Sequence, residues 1–152
     1  MVAELGGGRI LYVATADISG DEDLERRVRE HRKRRPTSWE TVEAGSDLSG
    51  FLENTKGRGV VLVDSLTLWV SARMLAGENE EAIVRSFDAF LDKAGMLRTP
   101  IVLVSDEVGL GVVPESSSGR RFRDLLGLVN QRAASVAEEV YLCVAGLGVR
   151  IK

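Results

Sequence analysis

The segment GVVLVD, residues 59–64, decides the fold of this chain. Its consecutive apolar residues do not alternate with polar ones, which is typical of a strand that is buried on both faces of a parallel sheet. Three further runs have the same character: RILYVAT at 9–15, PIVLVS at 100–105 and EVYLCVA at 139–145. We therefore predict a sheet that is built mainly from these four strands.

Segments with helical character separate the four runs. Residues 78–97 and 120–138 carry apolar side chains at three- and four-residue spacings, as amphipathic helices do. Residues 21–35 are highly charged, and residues 47–54 form a shorter candidate helix. This alternation predicts an α/β fold with a mostly parallel sheet flanked by helices, and residues 149–151 are expected to add a short edge strand.

Composition bounds the class of protein. A chain of 152 residues that is 44% hydrophobic suits a single domain over residues 1–152. A net charge of -3 and an aromatic content of 5% argue against a nucleic-acid-binding domain.

No apolar run approaches the roughly 20 residues of a membrane span, and no secretion signal is evident. The single cysteine, Cys143, excludes an internal disulfide and is predicted to be a buried structural residue. We expect a cytoplasmic protein.

Polar residues stand at the ends of three of the four apolar runs, where the active sites of parallel sheets collect. Thr15 ends the first run and precedes Ala16 and Asp17, Asp64 ends the second, and Asp106 and Glu107 follow the third. An acid at the end of a buried strand is found in magnesium–nucleotide sites. The pattern alone favours the other interpretation, in which Asp64 caps the next helix. The sequence as it stands contains no G-x-x-x-x-G-K-[ST] phosphate loop.

The only histidine, His31, lies in the basic string REHRKRRP at residues 29–36. An imidazole can attack phosphorus as a nucleophile, and neighbouring arginines can neutralise phosphates. Two other interpretations stay open: a solvated helix end whose basic residues are favoured by the helix dipole, and a nucleic-acid contact. The residues alone favour the solvated helix end.

The loop SDEVGLGVVPE at 105–115 leads into the last helical segment and is long enough to suggest a functional role. Three arginines at 120, 121 and 123 follow it and could meet phosphates or the acids of a neighbouring subunit. An ordered surface loop is the alternative interpretation.

Five strings together resemble one enzyme family. They run in order from residue 10 to residue 152: LYVATA, HRKRRPTSWETVE, VLVDSLTLWVS, SDEVGLGVVPE with GRRFRDLLGLVNQR, and EEVYLCVAGLGVRIK. The pattern H-x-x-x-R-P-x-x-W-x-T-x-E is the most specific part. The chain resembles the bifunctional adenosylcobinamide kinase/adenosylcobinamide-phosphate guanylyltransferases of cobalamin biosynthesis. The resemblance implies a P-loop-NTPase-like (RecA-like) fold and a homotrimer.

The resemblance also implies the reactions. Adenosylcobinamide is phosphorylated by GTP or ATP, and GMP is then transferred from GTP to adenosylcobinamide phosphate through a guanylylated histidine. We expect Mg²⁺ to accompany the nucleotide, with no separate metal site and no nucleic-acid partner.

Family roles carry over to matching positions of this chain. His31 matches the histidine that accepts GMP. The positions that match the family's nucleotide-binding residues are Thr15, Ala16, Asp17, Arg32, Lys33, Arg34, Arg35, Glu43 and Asp64.

The chain departs from the family pattern at its start. The family begins with a strand and a GKS phosphate loop, whereas residues 1–5 resemble the end of the helix that follows that loop. We therefore expect an N-terminally truncated chain in which triphosphate binding is weakened and kinase activity is in doubt. A catalytically silent nucleotide- or corrinoid-binding member of the family is the alternative, and a nucleic-acid module using residues 26–35 is a third hypothesis.

Overall fold

The computed structural model describes residues 7, 9–16 and 22–152, apart from the side chain of Leu24. The predicted site residue Asp17 and the helix end predicted at residues 1–5 lie outside these ranges. The elements in the described part are β1 (Ile10–Ala14), α1 (Glu22–Arg34), β2 (Glu40–Glu43), β3 (Val60–Asp64), α2 (Leu66–Leu75), α3 (Glu80–Gly95), β4 (Ile101–Val104), α4 (Ser117–Val136), β5 (Tyr141–Val144) and β6 (Leu147–Arg150).

A four-stranded parallel sheet in the order β2-β1-β3-β4 forms the centre of the molecule. Its register aligns the carboxyl ends of the strands, because Ala14 pairs with Glu43 on one side and with Asp64 on the other. Helices flank this sheet, as the sequence predicts. The predicted α/β class is confirmed, and the architecture is consistent with a P-loop-NTPase-like fold.

The prediction for the fourth apolar run, residues 139–145, is wrong. β5 does not join the parallel sheet; it pairs antiparallel with β6 in a separate two-stranded sheet. The turn between them holds Ala145 and Gly146, both at positive φ, and such a two-residue turn directs β5 onto the strand that follows it. Most β5 side chains are exposed, so Cys143 is an exposed free cysteine rather than a buried one. A strand is present near the predicted position 149–151, but it spans Leu147–Arg150 as β6 and pairs with β5 instead of extending the edge of the parallel sheet.

Two elements were missed and one was overestimated. β2 has the sequence ETVE, which is too polar and too short to stand out as a strand. α2 begins at Ser65, whose side chain accepts a hydrogen bond from the backbone N–H of Leu68, and its apolar sequence carries weak periodicity. The helix predicted at 47–54 is reduced to a 3-10 turn at Leu52–Thr55. The other three helices begin and end within three residues of the predicted bounds.

Alternate residues of the strands face opposite sides of the sheet. On one side, Leu11, Val13, Val61 and Val63 pack against α2, α3 and α4 in the hydrophobic core. The aromatic rings of this core are in contact, with ring centroids 5.7 Å apart for Trp69–Phe87 and 5.9 Å apart for Phe87–Phe90. The opposite side, which we call the polar face, carries Tyr12, Thr41, Glu43 and Asp64. In the register of the sheet Tyr12 pairs with Thr41, and Ala14 pairs with both Glu43 and Asp64.

In the part of the chain that the structure describes, no helix has both the length and the apolar character that a membrane crossing requires.

Candidate functional site

The carboxyl end of α1 is bound to β2 by two side-chain contacts on the polar face. Arg35 donates a hydrogen bond from Nη1 to Oγ1 of Thr41 over 2.8 Å. Arg32 forms an ion pair with Glu43. Both contacts follow from the turn at residues 35–39, which contains Pro36 and ends the helix. They place two guanidinium groups over the carboxyl edge of the sheet.

A cavity of about 470 Å³ opens between α1 and β2. Its lining residues are Arg32, Arg35, Pro36, Thr37, Trp39, Thr41 and Glu43. Two guanidinium groups, one carboxylate and an indole ring therefore share one opening. Guanidinium groups bind phosphate oxygens, an aromatic ring stacks on a flat base, and a carboxylate accepts hydrogen bonds from N–H groups of the base or from ribose hydroxyls. The cavity has the chemistry that a nucleotide requires.

Tyr12 connects the cavity to the end of β3. Its hydroxyl donates a hydrogen bond of 2.5 Å to Oδ2 of Asp64. Cζ of Arg35 lies 3.2 Å from the centroid of the Tyr12 ring, and the ring of Trp39 is 6.4 Å away, centroid to centroid. Burial raises the pKa of the Tyr12 phenol far above its usual value, and the hydrogen bond to Asp64 raises it further. Tyr12 is therefore a protonated donor at neutral pH.

Thr15 is buried beneath this site, and its hydroxyl group is already engaged. Oγ1 donates a hydrogen bond to the backbone oxygen of Ser65 over 2.7 Å and accepts one from the backbone N–H of Ser65 over 2.8 Å. The side chain thus joins the carboxyl ends of β1 and β3 and fixes the position of Asp64. Ala16, half-buried, follows directly.

His31 is exposed in the last turn of α1, four residues before Arg35. Arg35 is the first residue after α1, so His31 lies in the turn of the helix that directly precedes it. The described residues that line the cavity do not include His31, Lys33 or Arg34. Lys33 instead pairs with Glu30 over 2.8 Å.

The structure thus brings together only part of the predicted set. Arg32, Arg35 and Glu43 line the cavity, and Asp64 is joined to Arg35 through Tyr12. Four lining residues were not among the predicted site residues: Pro36, Thr37, Trp39 and Thr41. Three of them, Pro36, Trp39 and Thr41, are fixed positions of the H-x-x-x-R-P-x-x-W-x-T-x-E string. Tyr12 carried no signal, because it lies within an apolar run.

The loop that precedes α4 is held by that helix. Arg123 donates to the backbone oxygen of Gly109 over 2.8 Å, and Asn130 donates to that of Asp106 over 3.1 Å. Arg120 donates to the backbone oxygens of Pro114 and Glu115. Two of the three basic residues that were candidates for phosphate contacts therefore order this loop, and the third, Arg121, pairs with Glu80 over 2.6 Å.

Within residues 9–16 and 22–152, no group of three or more His, Cys, Asp or Glu side chains is placed to hold a metal ion.

Comparisons with known proteins identify the family. The sequence matches the family described as cobinamide kinase/cobinamide phosphate guanyltransferase over residues 1–151. It is 36% identical over 157 residues to the bifunctional adenosylcobalamin biosynthesis protein CobU of Escherichia coli (strain K12), covering 95% of this chain and 86% of that protein. It is 38% identical over 152 residues to the bifunctional adenosylcobalamin biosynthesis protein CobP of Pseudomonas aeruginosa, covering 99% of this chain and 87% of that protein. The chain therefore belongs to the cobinamide kinase/cobinamide phosphate guanyltransferase family, whose members are transferases.

Proposed function

We propose that this protein transfers GMP from GTP to adenosylcobinamide phosphate and that His31 carries the GMP between the two substrates. In the first step a ring nitrogen of His31 attacks the α-phosphorus of GTP, forming a P–N bond as the bond to pyrophosphate breaks. In the second step a phosphate oxygen of adenosylcobinamide phosphate attacks the same phosphorus, and the P–N bond breaks. The products are pyrophosphate, adenosylcobinamide-GDP and free His31.

One observation carries this proposal: the only histidine of the chain lies in the last turn of α1, four residues before Arg35, which lines the cavity together with Arg32 and Glu43. Attack by His31 builds negative charge on the phosphate oxygens and on the leaving pyrophosphate. Guanidinium groups that already stand at this position stabilise that charge without further rearrangement. Arg35 and Arg32 are the groups that this role requires.

Arg32 has to change partner for the reaction. In the structure its guanidinium group pairs with Glu43, and both side chains are largely exposed. An exposed ion pair of this kind contributes little stability, so exchange of the carboxylate for a phosphate costs little. Glu43 is then free to accept hydrogen bonds from the nucleoside.

The same family supports a second activity, the phosphorylation of adenosylcobinamide by GTP or ATP, and we extend the proposal to it. Mg²⁺ binds through one or two carboxylates and the phosphates of its nucleotide, so it needs no cluster of acids from the protein. Asp64, at the end of β3, is the carboxylate that would hold such an ion.

The family resemblance further supports a homotrimer. The loop before α4 displays Leu110, Val112 and Val113 to solvent while its backbone is held by α4, which suits a contact between subunits. Light scattering after size-exclusion chromatography measures the mass directly, and a monomer at micromolar concentration would contradict the assembly.

The test of the transfer is the mass of the intact protein after incubation with GTP and Mg²⁺, followed by peptide mapping. We expect one GMP adduct on the peptide that contains His31, its loss in His31→Ala, and its release by adenosylcobinamide phosphate. Arg27→Ala is the matched control, because it changes an exposed basic residue of the same helix that pairs with Asp23 and does not line the cavity. It should leave the adduct unchanged. An adduct that persists in His31→Ala would contradict the mechanism.

A catalytically silent member of the family would give different results in two measurements. It would show no rise in melting temperature with GTP, whereas a protein whose native state binds GTP is stabilised by it. It would show no covalent adduct under the same conditions.

A further inference from the structure

We propose that Tyr12 is a positioning residue of the nucleotide site, holding Arg35 with its ring and Asp64 with its hydroxyl. The inference rests on the proposed function, because it assigns Arg35 to the phosphates of the nucleotide. Tyr12 itself lies in the middle of β1 and is 7% exposed, so it acts through these two charged groups rather than by contact with substrate.

The first contact joins the ring of Tyr12 to a guanidinium group. Cζ of Arg35 lies 3.2 Å from the ring centroid, a distance at which the cation faces the electron-rich surface of the ring. The N–H donors of a guanidinium group lie in its plane, so stacking uses none of them. One donor is bound to Thr41, and the stack leaves the others available at the cavity. A side chain with several rotatable bonds is thereby held in one orientation.

The second contact joins the hydroxyl of Tyr12 to a carboxylate. The 2.5 Å hydrogen bond to Asp64 satisfies the only polar group of a side chain that is otherwise enclosed. Donation of this hydrogen bond increases the electron density of the ring, which strengthens the attraction of the ring for Arg35. The two contacts are therefore coupled, and a change at Asp64 reaches Arg35 through Tyr12.

The strand supplies the rigidity that positioning needs. Tyr12 is paired with Thr41 of β2 and with Leu62 of β3, and its neighbours Leu11 and Val13 are anchored in the core. An aromatic side chain has only two rotatable bonds, so little freedom remains once the backbone is fixed. Thr41, the register partner of Tyr12, holds the other side of Arg35.

The test separates the two contacts with Tyr12→Phe, which keeps the ring, and Tyr12→Leu, which removes it. The probe for Arg35 is the affinity for inorganic pyrophosphate, measured by calorimetry, and the probe for the whole site is the rate of the GMP adduct on His31. We expect Tyr12→Phe to slow the adduct by about 5- to 10-fold, and Tyr12→Leu to weaken pyrophosphate binding by about 5- to 30-fold. In an Asp64→Ala background, which has no side-chain acceptor for the Tyr12 hydroxyl, Tyr12→Phe should have almost no further effect.

Tyr141→Phe is the matched control. Its hydroxyl also donates to a carboxylate, that of Glu139, over 2.9 Å, but it lies on the exposed β5–β6 hairpin. It should change neither the affinity for pyrophosphate nor the rate of adduct formation. If Tyr12→Leu does not fold, Tyr12→Phe and Arg35→Met still decide the matter, because each leaves the core of the sheet intact.

Each outcome decides the proposal. Folded Tyr12→Phe and Tyr12→Leu proteins that behave like the natural protein would overturn it, and so would a natural protein that does not bind pyrophosphate. Equal effects of Tyr12→Phe in the Asp64→Ala and the natural backgrounds would also overturn it. Pyrophosphate binding that depends on Tyr12, without any adduct on His31, would support Tyr12 as a positioning residue and count against the proposed guanylyl transfer alone.

Discussion

On one face of the four-stranded sheet, Val13 and Val63 are fully enclosed among aromatic and aliphatic side chains of α2, α3 and α4. On the other face, Tyr12 and Asp64 form a hydrogen bond beneath the open cavity at the end of α1. The same two strands, β1 and β3, supply both sets of residues. Each strand therefore supplies the core with one set of alternate side chains and the candidate site with one residue of the other set, beside the buried Ile10, Val60 and Leu62.

The difference between the two faces explains how an exposed site can be rigid. The contacts of α1 with β2 are mostly between exposed charged groups, which hold a structure weakly. The strand residues of the polar face are different, because their backbones are fixed by neighbours that lie in the core. Substitutions on the core face should therefore act on folding, and those on the polar face should act mainly on nucleotide chemistry.

The largest effect should come from the core face. Phe87→Ala removes a fully buried ring that packs against Trp69 and Phe90, and we expect it to lower the free energy of unfolding by about 3–5 kcal/mol. Urea denaturation measures the change. Leu75→Ala is the control, because Leu75 is 86% exposed and its truncation should cost less than about 0.5 kcal/mol. Equal losses in the two variants would contradict the division between core and surface.

An intermediate effect should come from Thr15, which lies between the two faces. Thr15→Val keeps the shape of the side chain but leaves the buried backbone N–H of Ser65 without its partner, at a cost of about 1–3 kcal/mol in the free energy of unfolding. Thr15→Ser keeps the hydroxyl and should recover most of that stability in the same urea titration. A Thr15→Val protein as stable as the natural one would show that the joint between β1 and β3 does not depend on this hydroxyl.

The smallest effect should appear on the polar face and only at high pH. The raised pKa of Tyr12 means that the folded protein retains a proton that the unfolded chain loses near pH 10. The stabilisation is therefore complete below pH 10 and is lost as the pH rises through the folded pKa, at about 1 kcal/mol per pH unit. Tyr12→Phe lacks this group, so the stability difference between the natural protein and Tyr12→Phe should shrink between pH 10 and pH 11 in urea titrations. A difference that is constant over this range would contradict the shift.

Much of the fold was predictable because buried parallel strands and amphipathic helices leave strong local patterns. The runs that became β1, β3 and β4 were recognised from consecutive apolar residues, and three helices from their spacing or charge. β2 was missed because three of its four residues are polar. It is a strand because it pairs with β1, and its own sequence does not indicate that pairing.

Site residues that belong to one sequence motif could be predicted, whereas those that join the site only through tertiary contacts could not. Arg32, Arg35 and Glu43 lie in one motif and also line one cavity. Tyr12 could not be found in this way, because a tyrosine within an apolar strand is indistinguishable from an ordinary core residue until its hydroxyl meets Asp64, 52 positions away. The catalytic role predicted for His31 and the nucleotide-binding roles predicted for the other site residues, Arg32, Arg35 and Glu43 included, stay predictions.

By itself the sequence determined the class of fold, the positions of most elements and the segment that holds the candidate nucleophile, because these depend on local periodicity and on residues close together in the chain. Only the tertiary structure decided which strands are neighbours, that the run at 139–145 forms a hairpin with β6, and that Tyr12 joins Arg35 to Asp64. The physical reason is that strand pairing and side-chain contacts across a sheet join residues far apart in sequence, and no local pattern records which partner each will meet.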